Sequence, residues 1–172
     1  MPRSFDMAAE YDGSVEQVHR AFSDQAYWLA RLADSGADRA TLDSIEVGDD
    51  GEAGAIRIKT TQVLRADRLP GMVAQFHPGD LAIVREEKWS PLSGGTASAT
   101  VTGAIPGAPV SLTGNAELAS AGSGGSRLHF TVTVEVRIPL VGGKVENFIG
   151  SQLVELVIAE QRFTTAWIKD NL

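Results

Sequence analysis

The chain has 172 residues, of which 43% are hydrophobic and 22% charged, proportions typical of a globular protein with a sizeable core. Its net charge of −7 and the lack of a basic stripe argue against nucleic acid as a partner. Without cysteine, disulfides, thiolate metal sites and a cysteine nucleophile are excluded. No apolar run approaches the roughly 20 residues that span a bilayer, and we expect one cytoplasmic domain over residues 1–172.

The N-terminal segment predicts a strand and two short helices. Alternating apolar residues predict the opening strand, Arg3–Glu10. Ser14, followed three residues later by Gln17, forms a capping-box pattern and predicts that a helix begins there. A second short helix is expected to follow, with Ser23 or Asp24 as its cap.

The middle of the chain alternates apolar segments with turn sequences rich in glycine and proline. Close spacing without intervening helices predicts antiparallel neighbours in a sheet. The exception is "LPGMVAQFHPG", residues Leu69–Gly79, in which Met72, Val73 and Phe76 are expected to form one helical turn. The predicted strands are Ala40–Val47, Ala55–Leu64, Leu81–Trp89, Ala97–Ala104, Val110–Ala119 and Arg127–Ile138.

The last strand and the segment after it give the clearest pattern. In the strand, apolar residues at even positions from 128 to 138 face one way and polar residues face the other. Pro139 ends the strand, and Gly142 and Gly143 are expected to let the backbone reverse. The helix that follows is expected to end near Lys169, and fully burying its apolar face would contribute on the order of 10 kcal/mol. That face consists of Val145, Ile149, Leu153, Leu156, Phe163 and Trp167.

The complete order, β-α-α-β6-α with about seven strands, resembles the helix-grip fold of the START superfamily, which includes polyketide cyclases and the birch-pollen allergen. The resemblance is carried by "SVEQVHRAFSD" (Ser14–Asp24) and "VRIPLVGGKVENFIGSQL" (Val136–Leu153). The opening "MPRSFDM" and the closing "EQRFTTAWI" also resemble an uncharacterised group of short mycobacterial proteins within that superfamily. The resemblance implies an α+β fold in which a curved antiparallel sheet wraps around the C-terminal helix. It also implies a deep cavity between the two that holds a hydrophobic or amphipathic small molecule.

Glu160 interrupts the apolar face of the C-terminal helix, between Leu156 and Phe163. A carboxylate at such a position is costly unless it is hydrogen-bonded, paired or in contact with water. One interpretation places Glu160 on the cavity wall, where it orients a ligand or acts as a general base. The other is a satisfied salt bridge, or a helix rotated so that Glu160 reaches solvent. Gln152 lies near the same face and is a weaker candidate.

Arg85 and Glu87 are the second pair of candidates. Alternation along Leu81–Trp89 places both on the same side as apolar residues of that strand. If this side faces the core, Arg85 either pairs with Glu160 or binds a ligand carboxylate through two hydrogen bonds. A β-bulge that exposes both charges is the alternative.

Neighbouring apolar and aromatic residues complete the candidate ligand site. Trp28 and Trp89 are assigned to the cavity, although core packing explains both tryptophans about as well. The ligand-binding candidates are Glu160, Arg85, Glu87, Gln152, Trp28, Trp89, Leu156 and Phe163. The histidines lack metal-ligand spacing and no nucleophile motif is present, so no catalytic residue, metal or cofactor is predicted.

These patterns favour a protein that binds or carries a hydrophobic small molecule, such as a fatty acid, isoprenoid, sterol or polyketide-like compound. One alternative is a cyclase or dehydratase in which Glu160 is the acid or base. Another is a protein-interaction module or homodimer that uses Val154 and Ile158, which lie opposite the main apolar face of the helix.

Overall fold

The computed structural model describes residues 2–48, 54–68, 71–74 and 79–172. It confirms an α+β fold in which a curved sheet of seven strands lies against a long C-terminal helix. A 3-10 turn is formed by Ala66–Arg68. None of the described helices is long and apolar enough to cross a membrane. The elements are β1 (Arg3–Tyr11), α1 (Val15–Phe22), α2 (Gln25–Asp34), β2 (Arg39–Val47), β3 (Ile56–Leu64), α3 (Gly71–Ala74), β4 (Leu81–Trp89), β5 (Ala97–Ala104), β6 (Val110–Ser120), β7 (Ser126–Val136) and α4 (Gly142–Asn171).

The sheet is antiparallel throughout, in the order β1-β7-β6-β5-β4-β3-β2. The first and last strands therefore pair, with Met7 opposite Phe130, and β2 forms the far edge. Along β7 the residues from Phe130 to Val136 alternate between buried and half-buried, as the period of two predicts. The buried side faces α4, which packs mainly on β1 and β7.

The two short helices begin where the sequence predicts. The side chain of Ser14 accepts a hydrogen bond from the backbone N–H of Gln17, and the Gln17 side chain accepts one from the Ser14 N–H in return. For α2 the cap is Asp24 rather than Ser23, since its carboxylate accepts a hydrogen bond from the N–H of Ala26. The predicted turn at Leu69–Gly79 is observed in part as α3; Phe76 lies outside the described residues.

The reversal between β7 and α4 differs from the prediction. The strand ends at Val136, and Leu140, with φ of 72°, is the residue that adopts the left-handed conformation. Gly142 and Gly143 lie in the first turn of α4 without a positive φ. Gly142 is required for close packing instead, because a Cβ there would lie 2.7 Å from the carbonyl oxygen of Val136. The glycines thus allow the helix to approach the strand, and they do not form the hinge.

Glu146 adds a second link at this junction. Its buried Oε2 accepts a hydrogen bond from the backbone N–H of Val136 at 2.9 Å, and its Oε1 lies 3.8 Å from Nε of Arg3. The sequence analysis did not single out Glu146. Its carboxylate ties the first turn of α4 to the end of β7 and to β1.

The long helix is buried at its two ends and only half-buried in its middle. Val145 and Gly150 are buried near the start, as are Thr164 and Ile168 near the end. Five residues of the predicted apolar face are half-buried, so the contribution of this face is smaller than the value that full burial would give. These five are Ile149, Leu153, Leu156, Phe163 and Trp167. The middle of α4 borders a cavity, so its apolar side chains pack against the core only in part.

Gly150→Ala is expected to lower the free energy of unfolding by about 1–3 kcal/mol, because a Cβ at this position would lie 2.3 Å from the Phe5 ring. The direction is opposite to the usual gain of about 1 kcal/mol for alanine over glycine within a helix. Urea denaturation measures the change, with the exposed neighbour Ser151→Ala as control. In a Phe5→Leu background the loss should shrink, and an equally stable Gly150→Ala protein would contradict the packing described.

Candidate functional site

A cavity of about 540 Å³ lies between the concave face of the sheet and the middle of α4. This volume is within the range of small-molecule sites. Most of the lining is apolar and comes from both layers. It includes Ile83, Val101, Leu112 and Phe130 from the sheet and Ile149 and Leu156 from α4.

One wall of the cavity carries four charged side chains, Arg31, Arg85, Glu87 and Glu160, which we call the charged tetrad. Glu160 Oε2 lies 2.6 Å from NH2 of Arg31 and 3.0 Å from NH1 of Arg85. Arg85 also donates from Nε and NH2 to Glu87 Oε2, at 2.9 and 2.6 Å. The tetrad therefore connects α2, β4 and α4, and its two positive and two negative charges cancel.

Polar and aromatic groups surround the tetrad on the side of α2. The Tyr27 hydroxyl accepts a hydrogen bond from NH1 of Arg31 and lies 2.6 Å from Oγ1 of Thr164, which donates to the backbone carbonyl of Glu160. The Arg31 guanidinium lies 4.5 Å from the ring centroid of Trp28, within cation–π range. These contacts hold the Arg31 side chain, which is only 9% exposed, in one position.

The arginines determine the charge state of Glu160. Burial alone raises the pKa of this carboxyl group, but Arg31 and Arg85 more than offset that effect and lower the pKa to about 2. Burial likewise acts to lower the pKa of Arg85, and the two carboxylates reverse it and raise the pKa. Glu160, Arg31 and Arg85 therefore stay ionised at neutral pH.

The structure places Glu160 both in a salt bridge and on the cavity wall, so two interpretations that the sequence left as alternatives apply together. Arg85 and Glu87 point inward, since β4 keeps an unbroken register with β3. The exposed pair and the β-bulge are not observed. Of the options for Arg85, pairing with Glu160 is the one seen.

The other predicted site residues are divided between the cavity and the core. Gln152, Trp89 and Leu156 line the cavity, and Trp89 donates from Nε1 to Glu87 Oε1 at 3.1 Å. Trp28 is buried beside Tyr27 and outside the lining, where its Nε1 donates to the carbonyl of Phe22. Phe163 packs on Tyr27 and is also outside the lining. A role in ligand binding stays a prediction for every residue of the set.

Two cavity residues, Arg31 and Tyr11, were missed by the sequence analysis. Arg31 follows Tyr27 by four positions and Trp28 by three, so it lies on the buried face of α2, and this spacing is the signal that marks it. Tyr11 ends the inward face of β1 and is only 6% exposed. The alternation along β1 gave the side of the sheet on which Tyr11 lies, but nothing in the sequence indicated a cavity next to it.

A general acid or base works best with a pKa near the operating pH. With a pKa of about 2, Glu160 is a permanently ionised carboxylate that neither donates a proton nor takes one up readily near neutrality. The geometry therefore supports an electrostatic and structural role for Glu160 and argues against proton transfer by it.

Replacing Glu160 by glutamine should lower the free energy of unfolding by about 2–4 kcal/mol, because the buried Arg31 and the half-buried Arg85 then share the single carboxylate of Glu87. Urea denaturation at neutral pH measures the loss. The control is Glu155→Gln, an exposed carboxylate at the edge of the cavity that forms no ion pair with the described residues, with an expected change within about 0.5 kcal/mol. Equal effects of the two substitutions would contradict the tetrad.

The stabilisation from Glu160 should depend on pH in a defined direction. The pKa of Glu160 is lowered from 4.5 to about 2 in the folded chain, so its contribution is complete above pH 4.5 and is lost as the pH falls toward 2. The difference in unfolding free energy between wild type and Glu160→Gln should be constant near neutrality and should shrink below about pH 4.5. Urea denaturation at a series of pH values tests this, and a difference that does not change down to about pH 3 would contradict it.

Comparison with known proteins gives the family and the fold. A family model described as "Protein of unknown function (DUF2505)" matches residues 6–168. An uncharacterized protein of Mycobacterium tuberculosis is 55% identical over 174 residues, with 100% of both chains covered. The predicted resemblance to a mycobacterial group is thereby confirmed.

Solved structures share the fold at low identity. The Zhui aromatase/cyclase from Streptomyces sp. R1128 has a TM-score of 0.60 at 8% identity, over 98% of this chain and 94% of that one. A START superfamily protein from Mycobacterium smegmatis has a TM-score of 0.54 at 12% identity, over 98% and 99%. Ara h 8.0201 has a TM-score of 0.53 at 13% identity, over 99% and 100%. These neighbours confirm the predicted helix-grip fold of START, polyketide-cyclase and Bet v 1-like proteins, and the family match over residues 6–168 shows that the chain belongs to the DUF2505 family.

Proposed function

We propose that this protein binds a hydrophobic or amphipathic small molecule in the cavity between the sheet and α4. The observation that carries the proposal is the cavity of about 540 Å³ with a mostly apolar lining, left open under the half-buried middle of the helix. Apolar side chains that face an unfilled cavity lose the dispersion contacts that a filled core provides. A ligand of matching shape restores those contacts and removes apolar surface from water.

The polar part of the lining supports an amphipathic ligand rather than a pure hydrocarbon. Tyr11, Gln62 and the charged tetrad all border the cavity. Binding sites of this kind use many apolar contacts for affinity and a few polar groups for orientation. A lipid, isoprenoid, sterol or polyketide-like compound fits that description.

Other functions have less support from the described residues. The name aromatase/cyclase belongs to a neighbour of 8% identity, and a reaction here with Glu160 as acid or base conflicts with its low pKa. Val154 and Ile158 are 43% and 41% exposed, which is compatible with an interaction surface without identifying a partner. A homodimer and a cytoplasmic location stay predictions.

Filling part of the cavity should weaken ligand binding. The neutral fluorophore N-phenyl-1-naphthylamine is expected to bind wild type with enhanced fluorescence, and Gly103→Leu should weaken that binding at least tenfold. Gly103 lines the cavity, has no positive φ, and a Cβ there would make only ordinary contacts, the nearest 3.5 Å from Leu112. The matched control is Thr102→Leu, which adds the same side chain on the opposite, exposed side of β5 and should leave binding unchanged.

Native mass spectrometry against a panel of lipids, isoprenoids and sterols then searches for the physiological class. Failure of the fluorophore and of every panel member to bind would overturn the proposed function. Equal binding by Gly103→Leu and wild type would place the ligand outside this cavity.

A further inference from the structure

The Tyr11 hydroxyl is a polar group of the cavity wall that neither the fold nor the charged tetrad uses. Tyr11 is 6% exposed and borders the cavity. It is the last residue of β1 and pairs there with Ser126 of β7. Among the described residues, no side chain or backbone group makes a hydrogen bond with it. The hydroxyl oxygen is not among the fully buried unpaired atoms of the described residues, so it is accessible from the cavity, and its O–H is available to a ligand there.

This hydroxyl group remains a neutral donor under all ordinary conditions. Burial is the main cause that raises the pKa of Tyr11 well above its usual value. Interactions with Tyr27, Glu160 and Glu87 act in the same direction, and Arg31 acts against them with a smaller effect than that of burial. The phenol therefore keeps its proton and offers one O–H to whatever enters the cavity.

The charged tetrad, by contrast, is closed to an ionic ligand. NH1 and NH2 of Arg85 both contact Glu160, and Nε and NH2 contact Glu87. Arg31 is held by Glu160 and by the Tyr27 hydroxyl. A ligand carboxylate entering this space would bring a net charge of −1 into a neutral buried cluster, or would have to displace Glu160. Either event is costly away from bulk water.

We propose that the cavity selects an uncharged amphiphile whose polar end carries a hydrogen-bond acceptor, such as a ketone or ester carbonyl, bound by the Tyr11 hydroxyl. This inference rests on the proposed function and narrows it to one class of ligand. Fatty carboxylates, which are ionised at neutral pH, are expected to bind poorly, since the tetrad arginines are paired and Arg68, which also borders the cavity, is paired with Asp38. The bound acceptor completes the hydrogen bond that Tyr11 lacks among the described residues.

The test compares three probes of equal chain length, a long-chain methyl ketone, the corresponding alkane and the corresponding fatty carboxylate. Each competes with N-phenyl-1-naphthylamine for wild type at neutral pH. The ketone should bind best, and the carboxylate at least tenfold more weakly than the ketone. Tyr11→Phe, which removes only the hydroxyl oxygen, should weaken ketone binding about threefold to tenfold, the effect of one hydrogen bond, and leave alkane binding unchanged.

Tyr27→Phe is the matched control for the loss of a tyrosine hydroxyl. This hydroxyl is hydrogen-bonded to Thr164 and Arg31 and lies outside the lining, so its loss should lower the midpoint of urea unfolding. Tyr11→Phe should leave the midpoint unchanged or raise it, because no described protein partner loses a hydrogen bond.

The outcomes separate this inference from the proposed function. Carboxylate binding as tight as ketone binding, or ketone affinity unaffected by Tyr11→Phe, would overturn the selection of a neutral acceptor while leaving a hydrophobic ligand site in place. Failure of the fluorophore and of all three probes to bind wild type would overturn both.

Discussion

The middle of α4 is held above the sheet by the pairing of Glu160 with Arg31 and Arg85. Over the cavity the helix has little apolar packing beneath it, and these ion pairs are the contacts that join it to α2 and β4 there. A buried ion pair often adds little net stability compared with apolar packing, but breaking one is costly. The tetrad therefore sets the geometry: it fixes where Glu160 sits and, with it, the space that remains between helix and sheet.

The two ends of α4 are held by different means, and both are close-packed. At the start, Gly142 allows the backbone to approach Val136, and Gly150 receives the ring of Phe5. At the end of α4, the Thr164 hydroxyl forms a hydrogen bond with the Tyr27 hydroxyl, and Ile168 lies against Gly13. Close packing resists small displacements because interiors are as dense as organic crystals. A helix anchored at both ends in this way can span an open cavity in its middle without collapsing into it.

Periodicity predicted most of the fold, because strand and helix repeats are local properties of the sequence. It also gave an inward orientation of Arg85 and Glu87 as one of two options, the other being an exposed pair, since charged residues are usually exposed. Glu160 was detectable for the same reason, as a charge within an apolar helical face. The role of Gly142 was not detectable from the sequence, because it depends on how closely α4 approaches β7. Only the tertiary structure defines that distance. Arg31 was missed because its partner lies on a distant segment, although its spacing from Tyr27 was visible.

Tyr11 and Tyr27 show how the same residue type acquires different roles from its surroundings. Both are nearly inaccessible to solvent, and burial raises the pKa of both. Tyr27 is satisfied within the protein by Thr164 and Arg31 and so contributes to holding α2 against α4. Tyr11 faces the cavity, and among the described residues its hydroxyl has no such partner. The fold thus leaves a neutral donor accessible in the cavity while the charges of the tetrad are paired with one another. A donor that no protein group uses is available to orient the polar end of a ligand, which is how small-molecule sites use their few polar groups.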